Sequence, residues 1–255
     1  MYSKIIYRFL FCFSFLLLSL LSLKANKAQE TQKEGQKLPS LQQKLDSKKE
    51  EGKAAMPKES QEKFAKAIQK QKNDGLEYKA FQVGDKVPDF TLKDKNGQET
   101  KLSEYTKKGP VVLTFYRGTW CPYDALTLSS WQEAYPQIRQ QGAELLAISP
   151  EDPAKAKKLS EAKDPQFKRL VDDDNKVAGK FGLAYTVNGE LNELYKKEKI
   201  YLKELNKGGS EKLPITATYI LDKQGVIKYA FIDADYKNRP EPNLIIQELK
   251  KIVEQ

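Results

Sequence analysis

The chain has 255 residues, 44 of them basic, 35 acidic and none histidine, for a formal net charge of +9. The absence of histidine excludes imidazole bases and imidazole metal ligands, and two cysteines are too few for a zinc or iron–sulfur site. The charge itself is unevenly spread: residues 26–79 carry 13 Lys against 9 acidic groups, whereas residues 80–255 carry 28 basic against 26 acidic. No dense Arg/Lys stripe with interleaved aromatics remains in that longer part, so nucleic acid is not an expected partner.

At the N-terminus, Lys4 and Arg8 lead into an apolar run from Phe9 to Leu23, followed by Lys24-Ala25. A basic start, a short apolar core and a small residue at the cut site describe a signal peptide over residues 1–25, cleaved near Ala25 or Ala28. The run falls short of the roughly 20 apolar residues of a spanning helix, so no stable membrane span is expected after cleavage. The mature protein is then exported, with a bacterial periplasm as the expected compartment. Cys12 lacks the small residues that precede a lipidated cysteine, and its loss leaves Cys121 alone. An odd thiol in an exported protein suggests a reactive group or an intermolecular partner.

Residues 26–79 are rich in Lys, Glu, Gln and Ala. Pro57, Phe64, Ala67, Ile68 and Gly75 predict one weakly amphipathic helix, and Leu41 and Leu45 mark a shorter one. The composition is that of a solvated linker or loosely docked helical arm, with a partner-binding arm as the alternative.

Residues 80–255 have the length and apolar content of a single domain with a full core. "VPDFTLKDKNGQETKLSEY" reads as strand, turn at Lys95-Asn96-Gly97, strand. Val111 to Tyr116 is a central strand, and Leu128, Trp131, Tyr135 and Ile138 mark one face of a helix ending near Gly142. "ELLAIS" completes a parallel βαβ unit. A helix over 152–162, a strand at 168–171 and a short helix at 175–181 follow. Asp172 to Asp174 resemble a cation site, but carboxylates at a strand end more often cap the next helix. Residues 182–209 form a lysine- and tyrosine-rich insertion, helical over 190–205. "ITATYIL" and "VIKYAFI" flank a turn at 222–225 as a hairpin, and a helix from Pro242 ends the chain. The sum is an α/β fold with a mixed central sheet and helices on both faces, preceded by the helical arm.

The chemistry centres on "FYRGTWCPYD". Pro122 suits a first helical position, which makes Cys121 the N-cap, where free N–H groups and the helix dipole favour thiolate. At an unperturbed pKa of about 8.5 only roughly 3% is thiolate at neutral pH; a value of about 6 would make it roughly 90%. Arg117 reads either as a fixed positive charge for that thiol or as a solvated loop residue. Asp124 reads as ordinary helix-start stabilisation or as a proton acceptor, and its charge would raise the thiol pKa. Thr119, Trp120, Pro122 and Tyr123 are pocket candidates, Trp120 and Tyr123 being equally suited to packing. For Cys121 the bland reading is a small buried apolar side chain.

"VGDKVPDFTL", "GPVVLTFYRGTWCPYD", "ELLAISP" and "PITATYILDKQGVIKYAFID" together resemble the peroxiredoxin-like branch of the AhpC/TSA (redoxin) family. The resemblance implies a thioredoxin-like fold and thiol peroxidase chemistry: Cys121 attacks a hydroperoxide, and an external thiol or thioredoxin-like reductant resolves the sulfenic acid. It implies no cofactor, and a homodimer is compatible with it. Two features depart from the pattern. Asp124 stands where relatives of this branch carry a second cysteine; alignment from Phe115-Tyr116 also puts it at the peroxidatic cysteine of peroxiredoxins proper. Thr216 stands where peroxiredoxins place an arginine and thioredoxins a cis-proline, as backbone geometry or as a pocket contact; Arg117 or Arg239 would have to replace that arginine in space. Two other readings stay open: a monothiol thiol–disulfide exchanger, and a degenerate redoxin domain that binds a partner.

Overall fold

A computed structural model describes residues 38–156, 166–187 and 189–254. The stretch read as a signal peptide lies outside the described residues, as does most of the helix expected over 152–162, of which Pro153–Ala156 is described.

The expected strands form a seven-stranded mixed sheet of β1 (Thr91–Asp94), β2 (Glu99–Lys101), β3 (Val111–Phe115), β4 (Glu144–Ser149), β5 (Lys168–Val171), β8 (Thr216–Leu221) and β9 (Ile227–Asp233), in the order β2-β1-β5-β4-β3-β8-β9. β6 (Ala184–Thr186), inside the insertion, and β7 (Lys212–Pro214), just after it, make a separate antiparallel pair that the lysine-rich composition did not announce. β3 is buried at every residue, runs parallel to β4 and pairs antiparallel with β8. Its alternate residues Val111, Leu113 and Phe115 join Leu146, Ile148, Phe181 and Tyr219 in one core; a strand covered on both faces needs this unbroken apolar run.

The principal helices are α1 (Leu41–Ala55), α2 (Lys58–Asn73), α3 (Pro122–Gln140), α4 (Gly189–Lys197) and α5 (Pro242–Val253). α3 and α5 pack against one another. The buried Asp172 carboxylate accepts from the backbone N–H of Val177 and Ala178 at 2.9 and 2.8 Å, so it caps the following turn of helix as the capping reading expects. Its burial pushes the Asp172 carboxyl up.

The arm departs from the solvated linker suggested by its composition. Leu41 and Leu45 are completely buried, Phe64 and Ile68 nearly so, and Phe64 meets the Tyr195 ring edge-on at 5.6 Å. Two or three apolar side chains per helix suffice to dock a helix whose other faces stay charged and wet. The N-terminus of α1 is held from a distance: Glu241, at the start of α5, accepts from Ser40 Oγ at 2.7 Å and from the N–H groups of Leu41 and Gln42 at 3.1 and 2.8 Å. A carboxylate there satisfies donors that the helix cannot.

Candidate active site

β3 ends at Phe115, a tight loop follows, and α3 begins at Pro122 with Cys121 as N-cap in extended geometry. Gly118 allows this turn. Its φ is 152°, and a Cβ there would lie 2.3 Å from Trp120 Nε1. The loop folds back so that Arg117, four residues before the cysteine, faces it.

Arg117 is no solvated loop residue; it is 3% exposed. Its Nη2 donates to Cys121 Sγ at 2.8 Å and its Nη1 to the Tyr195 hydroxyl at 2.7 Å. The guanidinium carbon sits 3.6 Å from the centroid of the Tyr236 ring and 5.1 Å from that of Trp120. The Tyr236 and Trp120 rings and a fixed acceptor leave the guanidinium little freedom to turn.

Asp124 is fully buried, so its role exceeds helix-dipole stabilisation. Oδ2 accepts from the N–H of Arg117 at 3.0 Å and more weakly from that of Gly118 at 3.4 Å, which fastens the loop to the first turn of α3. Arg117 Nε lies 3.9 Å from the same oxygen, and Oδ1 accepts from Arg239 Nη2. Arg239 also donates to the carbonyls of Tyr236 and Asn238. Both arginines proposed as spatial substitutes thus converge, Arg117 on the sulfur and Arg239 on Asp124.

The expected drop in the thiol pKa is not what this arrangement produces. Complete burial pushes the Cys121 thiol up; Arg117 pulls it down, Asp124 pushes it up again, and Arg239 and the Asp124 amide lower it. The helix start and the arginine favour thiolate, but exclusion of water outweighs them. Even so, two buried guanidiniums face a single carboxylate in this cluster, and a thiolate is the anion that would balance the second.

Thr119 binds elsewhere. Its N–H donates to Glu151 at 2.9 Å and its hydroxyl at 2.8 Å, so the hydroxyl is committed to a carboxylate rather than to a substrate pocket. Burial pushes the Glu151 carboxyl up, opposed by those bonds. Thr216 likewise spends its hydroxyl on the Asp233 carbonyl at 2.8 Å, joining β8 to β9, and no cis peptide bond is found among the described residues. Pro122 is exposed and Trp120 half-buried; with Lys44, Lys48, Glu51 and Leu126 they line an open groove of about 490 Å³.

Among the described residues no open pocket lies over the sulfur itself. Cys121 is 0% exposed and packs with Leu41, Leu45 and Tyr123, against which Trp120, Leu126 and Tyr236 also lie. The structure therefore brings Arg117, Trp120, Cys121, Tyr123 and Asp124 together and leaves Thr216 to a structural bond. Sequence reasoning missed Leu41, Leu45, Glu151, Tyr195 and Tyr236. The tyrosine-rich insertion was the one local hint of Tyr195. Among the described residues no group of three or more Cys, Asp or Glu side chains could hold a metal ion.

The comparisons bear on the same segments. The AhpC/TSA family pattern matches residues 83–230. A chloroplastic peroxiredoxin Q of Triticum aestivum is 30% identical over 171 residues, 67% of this chain and 66% of that protein, so the chain spans just under two-thirds of its length. A thiol-disulfide oxidoreductase, ResA, of Geobacillus kaustophilus (strain HTA426) is 32% identical over 149 residues, 58% of this chain and 68% of that one. In three dimensions the chain is similar to the peroxidoxin BcpB of Mycobacterium tuberculosis, with a TM-score of 0.51 at 21% identity over 68% of this chain and 98% of that one. With its mixed sheet, its helix-start cysteine and these relatives, the chain belongs to the AhpC/TSA family, as a peroxiredoxin-like redoxin of thioredoxin-like fold.

Proposed function

We propose that the chain is an exported thiol oxidoreductase that reduces hydroperoxides through Cys121 and depends on an external thiol to complete the cycle. The observation that carries this reading is the 2.8 Å contact from Arg117 Nη2 to Cys121 Sγ, inside a cluster with one more buried guanidinium than carboxylate. The Cys121 thiolate attacks the terminal oxygen of ROOH. The O–O bond breaks, Cys121 becomes a sulfenic acid, and the alkoxide leaves to be protonated to ROH. Arg117 is placed to hold the thiolate first and to meet the developing oxyanion next. A thiol R′SH then condenses with the sulfenic acid to a mixed disulfide and water, and a second thiol releases Cys121. Apart from Cys12 in the proposed leader, the chain has no other cysteine to take that second part. The domain limits and the leader at residues 1–25 rest on the sequence pattern.

The test is steady-state hydroperoxide consumption by the full chain with a dithiol reductant, compared with Cys121→Ser. Turnover abolished by the substitution supports the reading; turnover indifferent to it ends it. The ResA relative favours a second reading, thiol–disulfide exchange through the same sulfur. Efficient reduction of a disulfide substrate with no peroxide turnover would select it. A thiol inert to both substrates would leave a non-catalytic binding domain.

A further inference from the structure

We propose that α1 is a redox-responsive cover on Cys121: the sulfur meets its oxidant when the helix lifts, oxidation then holds the helix away, and the opened form admits the reducing thiol. The proposal rests on Cys121 being the reacting thiol. Cys121, Leu41 and Leu45 are all 0% exposed, so with α1 docked neither a hydroperoxide nor a second sulfur can approach Sγ. Resolution by an external thiol therefore requires an opened form.

The cover is built to open. Leu41 and Leu45 are the only fully buried residues in a 15-residue helix, and the rest of its hold is peripheral. Glu241 caps its N-terminus, Lys44 pairs with Glu133 at 3.2 Å, and Lys49 donates to Asn238 at 3.2 Å. Such half-exposed polar contacts add little, so local release of α1 lies well below global unfolding.

One short segment joins the cover to the site. Tyr236 stacks on Arg117, Arg239 grips Asp124, and Glu241 caps α1. Oxidation perturbs both ends of that segment. In the balanced step Cys121–S⁻ + ROOH → Cys121–SOH + RO⁻, an oxygen atom is added inside the buried cluster that Cys121 forms with Leu41, Leu45 and Tyr123, and overfilled cores expel or distort their contents. The same step turns the sulfur that accepts from Arg117 Nη2 into a neutral sulfenic acid. By linkage, a modification that disfavours the docked helix is itself favoured when the helix is away. Uncovering also returns water to the sulfur while Tyr195 and Tyr236 keep Arg117 beside it, which removes the burial that pushes the thiol up.

The experiment is hydrogen–deuterium exchange of residues 41–55 in the full chain, with the state of Cys121 read by mass spectrometry. Three states are compared: reduced, after one equivalent of hydroperoxide, and after methyl methanethiosulfonate. The last converts Cys121 to its S–S–CH₃ disulfide with release of methanesulfinate, independently of any peroxidase chemistry. Exchange in 41–55 should rise by about tenfold or more in both modified states and return with dithiothreitol, while β3 and β4 stay protected. Cys121→Ser should show no change. Glu241→Gln should speed both exchange in 41–55 and thiosulfonate modification in the reduced protein. A modified Cys121 with unaltered exchange in 41–55 overturns the proposal, as does an unchanged modification rate in Glu241→Gln. If the thiosulfonate releases the helix but peroxide leaves Cys121 unoxidised, the cover stands and the peroxidase reading fails.

Discussion

Asp124→Asn keeps the side chain's shape and removes one buried charge. Asp124 is 0% exposed, Arg117 3% and Arg239 7%, so the substitution leaves two guanidiniums in a water-poor space without their carboxylate. Removing one partner of such a buried pair costs about 3–5 kcal/mol, a large share of the roughly 5–15 kcal/mol that holds a domain folded. The asparagine oxygen can still accept from the Arg117 or Gly118 N–H, so the loss is chiefly electrostatic. Denaturant unfolding at neutral pH measures it, with the slope unchanged if the folded and unfolded states keep their exposed areas. Asp124→Leu combined with Arg239→Met removes both charges and should recover much of the loss, because a buried pair is often no better than apolar groups of similar volume. The same Asn variant should shift Cys121 alkylation to lower pH, since the Asp124 carboxylate pushes the thiol up. A single-variant loss below about 1 kcal/mol, or a double variant no more stable than the single, would refute the charge argument.

Three further outcomes follow from the same contacts. Tyr195→Phe deletes the acceptor of Arg117 Nη1 and should cost about 1–3 kcal/mol while moving Cys121 alkylation to higher pH; an unmoved pH profile would show that Tyr195 does not position the guanidinium. Burial raises the Glu151 carboxyl, so the folded form keeps its proton to higher pH than the unfolded chain. The stability this group contributes is complete below the ordinary carboxylate range and is lost as pH rises through the raised value; Glu151→Gln, always neutral, should therefore gain on wild type in Tm as pH rises above the ordinary carboxylate range. Leu45→Ala should weaken docking of α1 by about 2–5 kcal/mol, seen as faster exchange in residues 41–55 with protection of β3 retained.

Much of the fold was legible because its signals are local. Val111 to Phe115 is an unbroken apolar run, Gly97 and Gly225 mark the two turns at positive φ, and Pro122 fixes Cys121 at a helix start. The site was legible only along the chain, from Arg117 to Asp124. Leu41, Glu151, Tyr195 and Tyr236 reach it from separate elements, and no spacing rule connects residues that far apart in sequence; Arg239 was named only because the family's arginine was missing. The thiol's protonation was misjudged for the same reason: a helix start is written in Cys121-Pro122, whereas the burial that opposes it comes partly from two leucines some eighty residues upstream. A helix whose composition is mostly Lys, Glu and Gln gives no local sign that it is docked.

Reaction of Cys121 with hydroperoxide is read most directly by mass spectrometry of the Cys121 peptide after the reduced full chain meets one equivalent of hydroperoxide, with dimedone present to trap sulfenic acid. A dimedone adduct at Cys121 is expected, absent without peroxide and prevented when dithiothreitol accompanies the oxidant. A Cys121 peptide that stays unmodified through excess peroxide would contradict it.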